Sequence, residues 1–109
     1  TWDGNLLIKN GKLTGLIDYA AVLWADPLLS HDFHDFGDVP NPYFLQGYGK
    51  IEFTQNEKIR IQSYRIWQRL GMVVERGYRE YEDPHMYDWV LDDVAREVEK
   101  LETAVMDHN

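Results

Sequence analysis

The sequence predicts an α+β fold, a short β-hairpin followed by a mostly helical remainder, on three observations. Asn10-Gly11 sits between the apolar runs Leu6-Leu7-Ile8 and Leu13–Ile17. That dipeptide favours a type I′ turn, which needs positive φ at both central residues. Thr54-Gln55-Asn56-Glu57 is a capping box opening a long stretch with helical apolar spacing. Asp83-Pro84 then restarts the chain as an N-cap and first-turn proline before a second such stretch.

Taken in order, residues 1–5 read as a loop, followed by strands at about 6–9 and 12–17. Tyr19–Pro27 is too apolar for a solvated linker and reads as a buried irregular segment ended by Asp26-Pro27. Asp26 is the expected N-cap of a short helix from Pro27 to about Asp35. Residues 37–50, with three glycines, two prolines and three aromatics, read as the principal loop. The helix after Thr54 is expected to reach about Glu82, on a stripe of Ile59, Ile66, Leu70, Val73 and Val74 with Trp67, Tyr78 and Tyr81 beside it. Gly71 and Gly77 are its weak points. The last helix is expected from Pro84 to about Met106, burying Tyr87, Val90, Leu91, Val94, Val98, Leu101 and Val105, with Glu97, Glu99, Lys100 and Glu102 on its outer face. The four tryptophans, Trp2, Trp24, Trp67 and Trp89, are expected in packing roles. The three parts are thus 1–36, a loop at 37–50, and two long helices over 54–107.

At 109 residues the chain is one small domain or part of a larger one. A 44% hydrophobic, 14% aromatic composition suits a packed core rather than general disorder. A formal net charge of −8 argues against a nucleic-acid binder or an anionic-membrane binder. It suits a divalent metal or a cationic substrate. Without cysteine there is no disulfide framework, thiolate nucleophile or cysteine-based zinc site, and a reducing, cytoplasmic setting is expected. No apolar run approaches the roughly 20 residues that span a bilayer. The opening at Thr1, without Met and four residues before Asn5, reads as a piece of a longer protein.

Asn5 and Asp18 bracket the hairpin, and hard oxygen donors at its adjoining ends suit magnesium. Three stretches in order, Asp3-Gly4-Asn5-Leu6-Leu7-Ile8, Leu13-Thr14-Gly15-Leu16-Ile17-Asp18-Tyr19 and Trp24-Ala25-Asp26-Pro27, give the chain a family resemblance. It resembles the aminoglycoside phosphotransferase (choline-kinase-like) family over residues 1 to about 36. The family's catalytic loop, His-x-Asp-x-x-x-x-Asn, ends in an Asn followed by Leu-Leu or Leu-Ile. Its second motif is Leu-x-Gly-x-Ile-Asp-Trp/Tyr, and its third is Gly/Ala-Asp-Pro.

That resemblance implies part of a protein-kinase-like C-terminal lobe and transfer of the γ-phosphoryl of ATP or GTP to a small-molecule hydroxyl, as on an aminoglycoside or choline. It implies Asn5 and Asp18 as ligands of Mg2+ and the nucleotide phosphates, with Asp26 supporting the loop that carries Asp18. It places the acceptor among the helices and loops that follow, which implicates Asp35 and Asp38. The pattern's catalytic Asp falls one residue before Thr1, so no catalytic base is expected within the chain, and Asp3 sits too near Asn5 to replace it. Ser30 stands where the pattern has Asp, a role open to Asp32 or Asp35. The fragment alone is expected to be inactive. Its expected partners are a second copy or the missing N-terminal part, covering apolar surface left open.

Two other readings compete. One is a non-catalytic helical interaction module. The other is a metal-dependent phosphohydrolase centred on His31-Asp32-Phe33-His34-Asp35, with His85 and His108 the only further histidines.

Overall fold

The computed structural model describes residues 3–18, 23–30, 33, 41–75, 77–79, 85 and 88–107. A 3-10 turn at Asp3–Asn5 leads into strand β1 (Leu6–Lys9) and antiparallel strand β2 (Lys12–Leu16), a two-stranded sheet. Asn10 and Gly11 join them with φ of 52° and 73°, the pair of left-handed residues a type I′ turn demands. A second 3-10 turn, Pro27–Leu29, precedes helices α1 (Pro42–Tyr48), α2 (Gln55–Glu75) and α3 (Asp88–Met106). The α+β class is therefore present. No described helix is long and apolar enough to cross a membrane.

Several element bounds differ from the sequence reading. The 37–50 region is not a loop throughout, because α1 occupies Pro42–Tyr48. Asn41 caps it by accepting from the Tyr43 amide at 2.9 Å, Pro42 fixes its first turn, and Gly49 ends it at φ 80°. Those Asn, Pro and Gly residues are the start and stop signals of a seven-residue helix. Helical geometry at Pro27 stops after Leu29, where the Ser30 amide donates to the Pro27 carbonyl. Helix α2 ends at Glu75 rather than Glu82, and a turn at Gly77 follows. Helix α3 begins at Asp88, four residues after Pro84. The expected cap at Asp83-Pro84 lies outside the described residues, as do Trp2, Tyr81 and Tyr87.

The apolar core gathers around Phe33, which is fully buried. Its ring meets Phe44, Tyr48 and Phe53 edge-on at 5.0, 5.1 and 5.8 Å between centroids. Leu28 and Leu45 complete the cluster, with Ile61 and Tyr64 of α2 packed against it. The capping box at Thr54 forms as expected: the Thr54 amide donates to Glu57 at 2.9 Å and the Glu57 amide to Thr54 Oγ1 at 3.3 Å. Lys50 adds an ion pair at 2.5 Å, and it and the Thr54 amide hold the Glu57 carboxyl down to about 2.

The contact between α2 and α3 is charged. Glu97, expected on the outer face of α3, is 1% exposed, and Arg69 on α2 is 2% exposed. Arg65 Nη1 lies 3.1 Å from Glu97, and Arg69 Nε lies 2.8 Å from Asp93. Both pairs are spaced i, i+4 on their own helices, so two antiparallel helices bring them opposite one another in two layers. Gln62 reinforces the first layer, donating to the Glu97 carboxylate at 2.6 Å, and Lys100 reaches the same carboxylate at 2.8 Å. Arg96 pairs with Asp93 in the second layer. Val90 closes the seam at the start of α3.

This seam rotates α2 relative to the expectation, so that of the expected stripe Ile59, Ile66 and Val73 are half-buried while Leu70 and Val74 are exposed. With Arg65 and Arg69 inward, the stripe through Trp67, Leu70 and Val74 faces outward. The Leu23-Trp24 segment, expected to be buried, is likewise exposed, and Trp89 is 40% exposed. Of the α3 stripe, Val90 is buried and Val94, Val98 and Leu101 are half-buried, whereas Leu91 and Val105 are exposed.

Breaking one partner of a buried pair leaves the other charge unpaired, which costs about 3–5 kcal/mol. Glu97→Ala is therefore expected to lower unfolding free energy by about that amount in chemical denaturation, well beyond an exposed control such as Glu99→Ala. Burial opposes the Glu97 charge, but Lys100, Gln62 and Arg65 outweigh it and hold its carboxyl down to about 2. A lowered folded-state value stabilises the fold above the unfolded value of 4.5 and is lost as pH falls toward 2. Unfolding midpoints should therefore fall over that acid window, and Glu97→Gln should flatten the fall.

Candidate functional site

The base of the hairpin sets the backbone of Asn5 beside Ile17, the neighbour of Asp18, the other candidate ligand. Leu6 pairs with Leu16 and Leu7 with Gly15, while Ile8 pairs with Leu13. Thr14 is thus an extra residue, a β-bulge, and its hydroxyl donates to the Leu7 carbonyl at 3.0 Å. Were the strands regular from the Asn10-Gly11 turn outward, Asn5 would face Leu16. With the bulge, the Ile17 amide donates to the Asn5 carbonyl at 3.0 Å, the last rung of the ladder. Asp18 lies one residue beyond that rung.

Asp18 has φ 63°, a left-handed conformation that costs an L-residue about 1–2 kcal/mol. Asp and Asn tolerate it best, and such residues concentrate where a site dictates backbone direction. Asp18 is exposed and Asn5 half-exposed. Among the described residues, no side chain pairs with the Asp18 carboxylate. An amide oxygen at Asn5 and a carboxylate at Asp18, on either side of the hairpin base, are hard donors of the kind Mg2+ takes. Two protein ligands leave the remaining positions to water and phosphate oxygens, the usual arrangement for this ion.

Asp26, expected as a supporting residue, is the best-connected acid in this half of the chain. Its carboxylate accepts from the Leu28 amide at 3.1 Å and from the Tyr64 hydroxyl at 2.9 Å, and it pairs with Arg60. It therefore caps the Pro27–Leu29 turn and fastens the segment after the hairpin to α2. Gln68 adds to this by donating to the Leu29 carbonyl at 2.9 Å. Burial raises the Asp26 pKa, but the Leu28 amide, Tyr64 and Arg60 outweigh it and bring the carboxyl below its ordinary range. In return, the Asp26 carboxylate raises the Tyr64 hydroxyl above its ordinary value.

The remaining candidates separate from this site. Asp35 and Asp38 lie outside the described residues, as do His31, Asp32, His34 and His108. His85 is exposed, 3.2 Å from Asp88. Among the described residues, no group of three or more His, Asp or Glu side chains could hold a metal ion. Sequence reasoning missed Arg60 and Tyr64 as partners of Asp26. Their i, i+4 spacing on the helix after the capping box was the available signal.

Comparison with protein-family models, curated proteins and solved structures gives no match to this chain.

Asp26→Asn keeps an acceptor for the Leu28 amide while removing the negative charge. The Tyr64 hydroxyl is expected to titrate at lower pH in that variant, followed by its ring resonances in NMR. An unchanged Tyr64 titration would mean that the Tyr64–Asp26 bond is absent.

Proposed function

We propose that this chain carries the metal-holding half of a small-molecule phosphotransfer site, with Asn5 and Asp18 as ligands of Mg2+ and of the ATP or GTP phosphates it bridges. The observation that supports the reading is the base of the hairpin, where a bulged register joins the Asn5 backbone to that of Ile17, one residue before the left-handed Asp18. The three sequence stretches that resemble the aminoglycoside phosphotransferase family supply the reaction class. A bound divalent ion would neutralise charge developing on the transferred phosphoryl group.

The chain's own part is positional. The Ile17–Asn5 rung holds the backbone of one ligand beside that of the other, and the left-handed turn at Asp18 sets the direction of its carboxylate. Asp26, through Arg60 and Tyr64, fixes the segment that leaves the site. The reading assigns no general base to this chain, and the acceptor is a hydroxyl-bearing small molecule. A net charge of −8 favours a cationic one.

Paramagnetic Mn2+ tests the assignment at residue resolution. Titrated into the full chain, it is expected to broaden amide signals around Asn5, Ile17 and Asp18 first, with those of α2 and α3 little affected. Asp18→Ala should abolish the local broadening, and Asn5→Ala should weaken it several-fold. Broadening centred on residues 31–35 instead would favour the phosphohydrolase reading and overturn this one.

A further inference from the structure

The tip of the hairpin carries a reactive pair that the metal site does not use. Asn10 alone among the asparagines precedes a glycine, whereas Asn5, Asn41 and Asn56 precede Leu6, Pro42 and Glu57. Asn10 and Gly11 are both exposed. Among the described residues, neither the Asn10 carboxamide nor the Gly11 amide has a hydrogen-bond partner. Without a Cβ at Gly11, its backbone nitrogen stands open to the neighbouring side chain. Lys9 and Lys12 face each other across the turn, exposed and without an ion pair among the described residues.

We propose that Asn10 is a site of spontaneous covalent modification, deamidating through a cyclic imide with Gly11 to leave aspartate or isoaspartate at the hairpin tip. The Gly11 nitrogen gives its proton to solvent base and attacks Asn10 Cγ. The N–Cγ bond forms, the Cγ–Nδ2 bond breaks, and ammonia leaves carrying a proton returned by solvent. Water then opens the imide. Cleavage at Cγ restores the backbone with an aspartate side chain. Cleavage at the main-chain carbonyl leaves Gly11 joined through Cγ, which adds one methylene to the backbone. The net change exchanges ammonia for water, with no oxidation or reduction.

The fold acts on this chemistry in three ways. Two lysines beside the turn stabilise the anionic nitrogen that attacks. The closed turn opposes attack, since ring closure needs rotation about the Asn10 Cα–C bond that the Lys9–Lys12 pairing holds. Opening the tip costs little, because the sheet has two strands and Ile8 and Leu13 are exposed. The two products then part company. Aspartate accepts positive φ, and its new carboxylate lies beside lysines whose like charges otherwise oppose pairing. Isoaspartate lengthens a two-residue loop whose length sets the Lys9–Lys12 register.

The full chain, incubated in mildly alkaline buffer, is digested by a protease that cuts before aspartate and read by mass spectrometry. Asp3–Ile17 is one such peptide, and it holds both Asn10 and its control Asn5. Amide-to-acid conversion is expected at least tenfold faster at Asn10 than at Asn5 or Asn56. The aspartate product gains a cut before position 10 and the isoaspartate product does not. Gly11→Ala has room for its Cβ but sits at φ 73°, so it loosens the turn. It should nonetheless slow conversion at least tenfold by crowding the attacking nitrogen. Denaturing urea should speed conversion several-fold by releasing the Lys9–Lys12 pairing. Conversion at Asn10 no faster than at Asn5, or unslowed in Gly11→Ala, would overturn the proposal. A rate indifferent to urea would overturn the part given to the closed turn. None of these readouts needs metal, so they stand apart from the phosphotransfer reading.

Discussion

The pairing of Arg65 with Glu97 and of Arg69 with Asp93 is the constraint from which the helical half follows. An apolar seam lets two helices rotate against each other by tens of degrees at little cost, because dispersion is non-directional. A guanidinium and a carboxylate removed from water do not, since each lost hydrogen bond leaves a buried charge short of a partner. Two such layers, one helical turn apart, therefore fix the rotation of α2 about its own axis. Everything on its other faces is then decided: Arg60 and Tyr64 toward Asp26, Ile61 toward the Phe33 cluster, and Trp67, Leu70 and Val74 outward.

Among the described residues, Asp26, Leu28, Leu29 and Phe33 join the two halves of the chain. Asp26 fastens the segment leaving the hairpin to α2, and Phe33 carries the chain into the aromatic core shared with α1. The hairpin itself buries little, with Leu7, Ile8, Leu13, Leu16 and Ile17 all exposed. A two-stranded sheet is marginal alone. Its order rests on the type I′ turn, the bulge and the Ile17–Asn5 rung.

Local chemistry was legible in the sequence, and the sense of each face was not. Asn10-Gly11, Thr54–Glu57 and Asp26-Pro27 act through backbone groups a few residues away, so their outcome follows from their identity alone. The end of α2 was overextended because the sequence keeps helical spacing past Glu75 while Gly77 favours a turn, whereas the end of α3 at Met106 falls where it was expected. The interior of the α2–α3 pair was misread for a different reason. Periodicity marks Ile66, Leu70 and Val73 as the inner stripe, and Ile66 and Val73 are half-buried, but it does not show that Arg65 and Arg69 sit inward, opposite Glu97 and Asp93. That is long-range information. Matching i, i+4 charges of opposite sign on two helices was the one clue to it. At the site, the Asn5–Asp18 spacing was readable, but the bulge that decides their relative placement was not, since Thr14 carries no sequence mark of an extra residue.

That bulge gives the hairpin a reading frame. Thr14 absorbs one residue between the turn and the base, so the chain from Gly15 onward is displaced by one position. A one-residue insertion or deletion elsewhere in either strand would undo that offset and move Asp18 from its place beside the Ile17–Asn5 rung, even with every side chain retained. Extra length at the Asn10-Gly11 tip would leave the base untouched. Among descendants of this chain, length should therefore drift at the tip and stay frozen in the two strands.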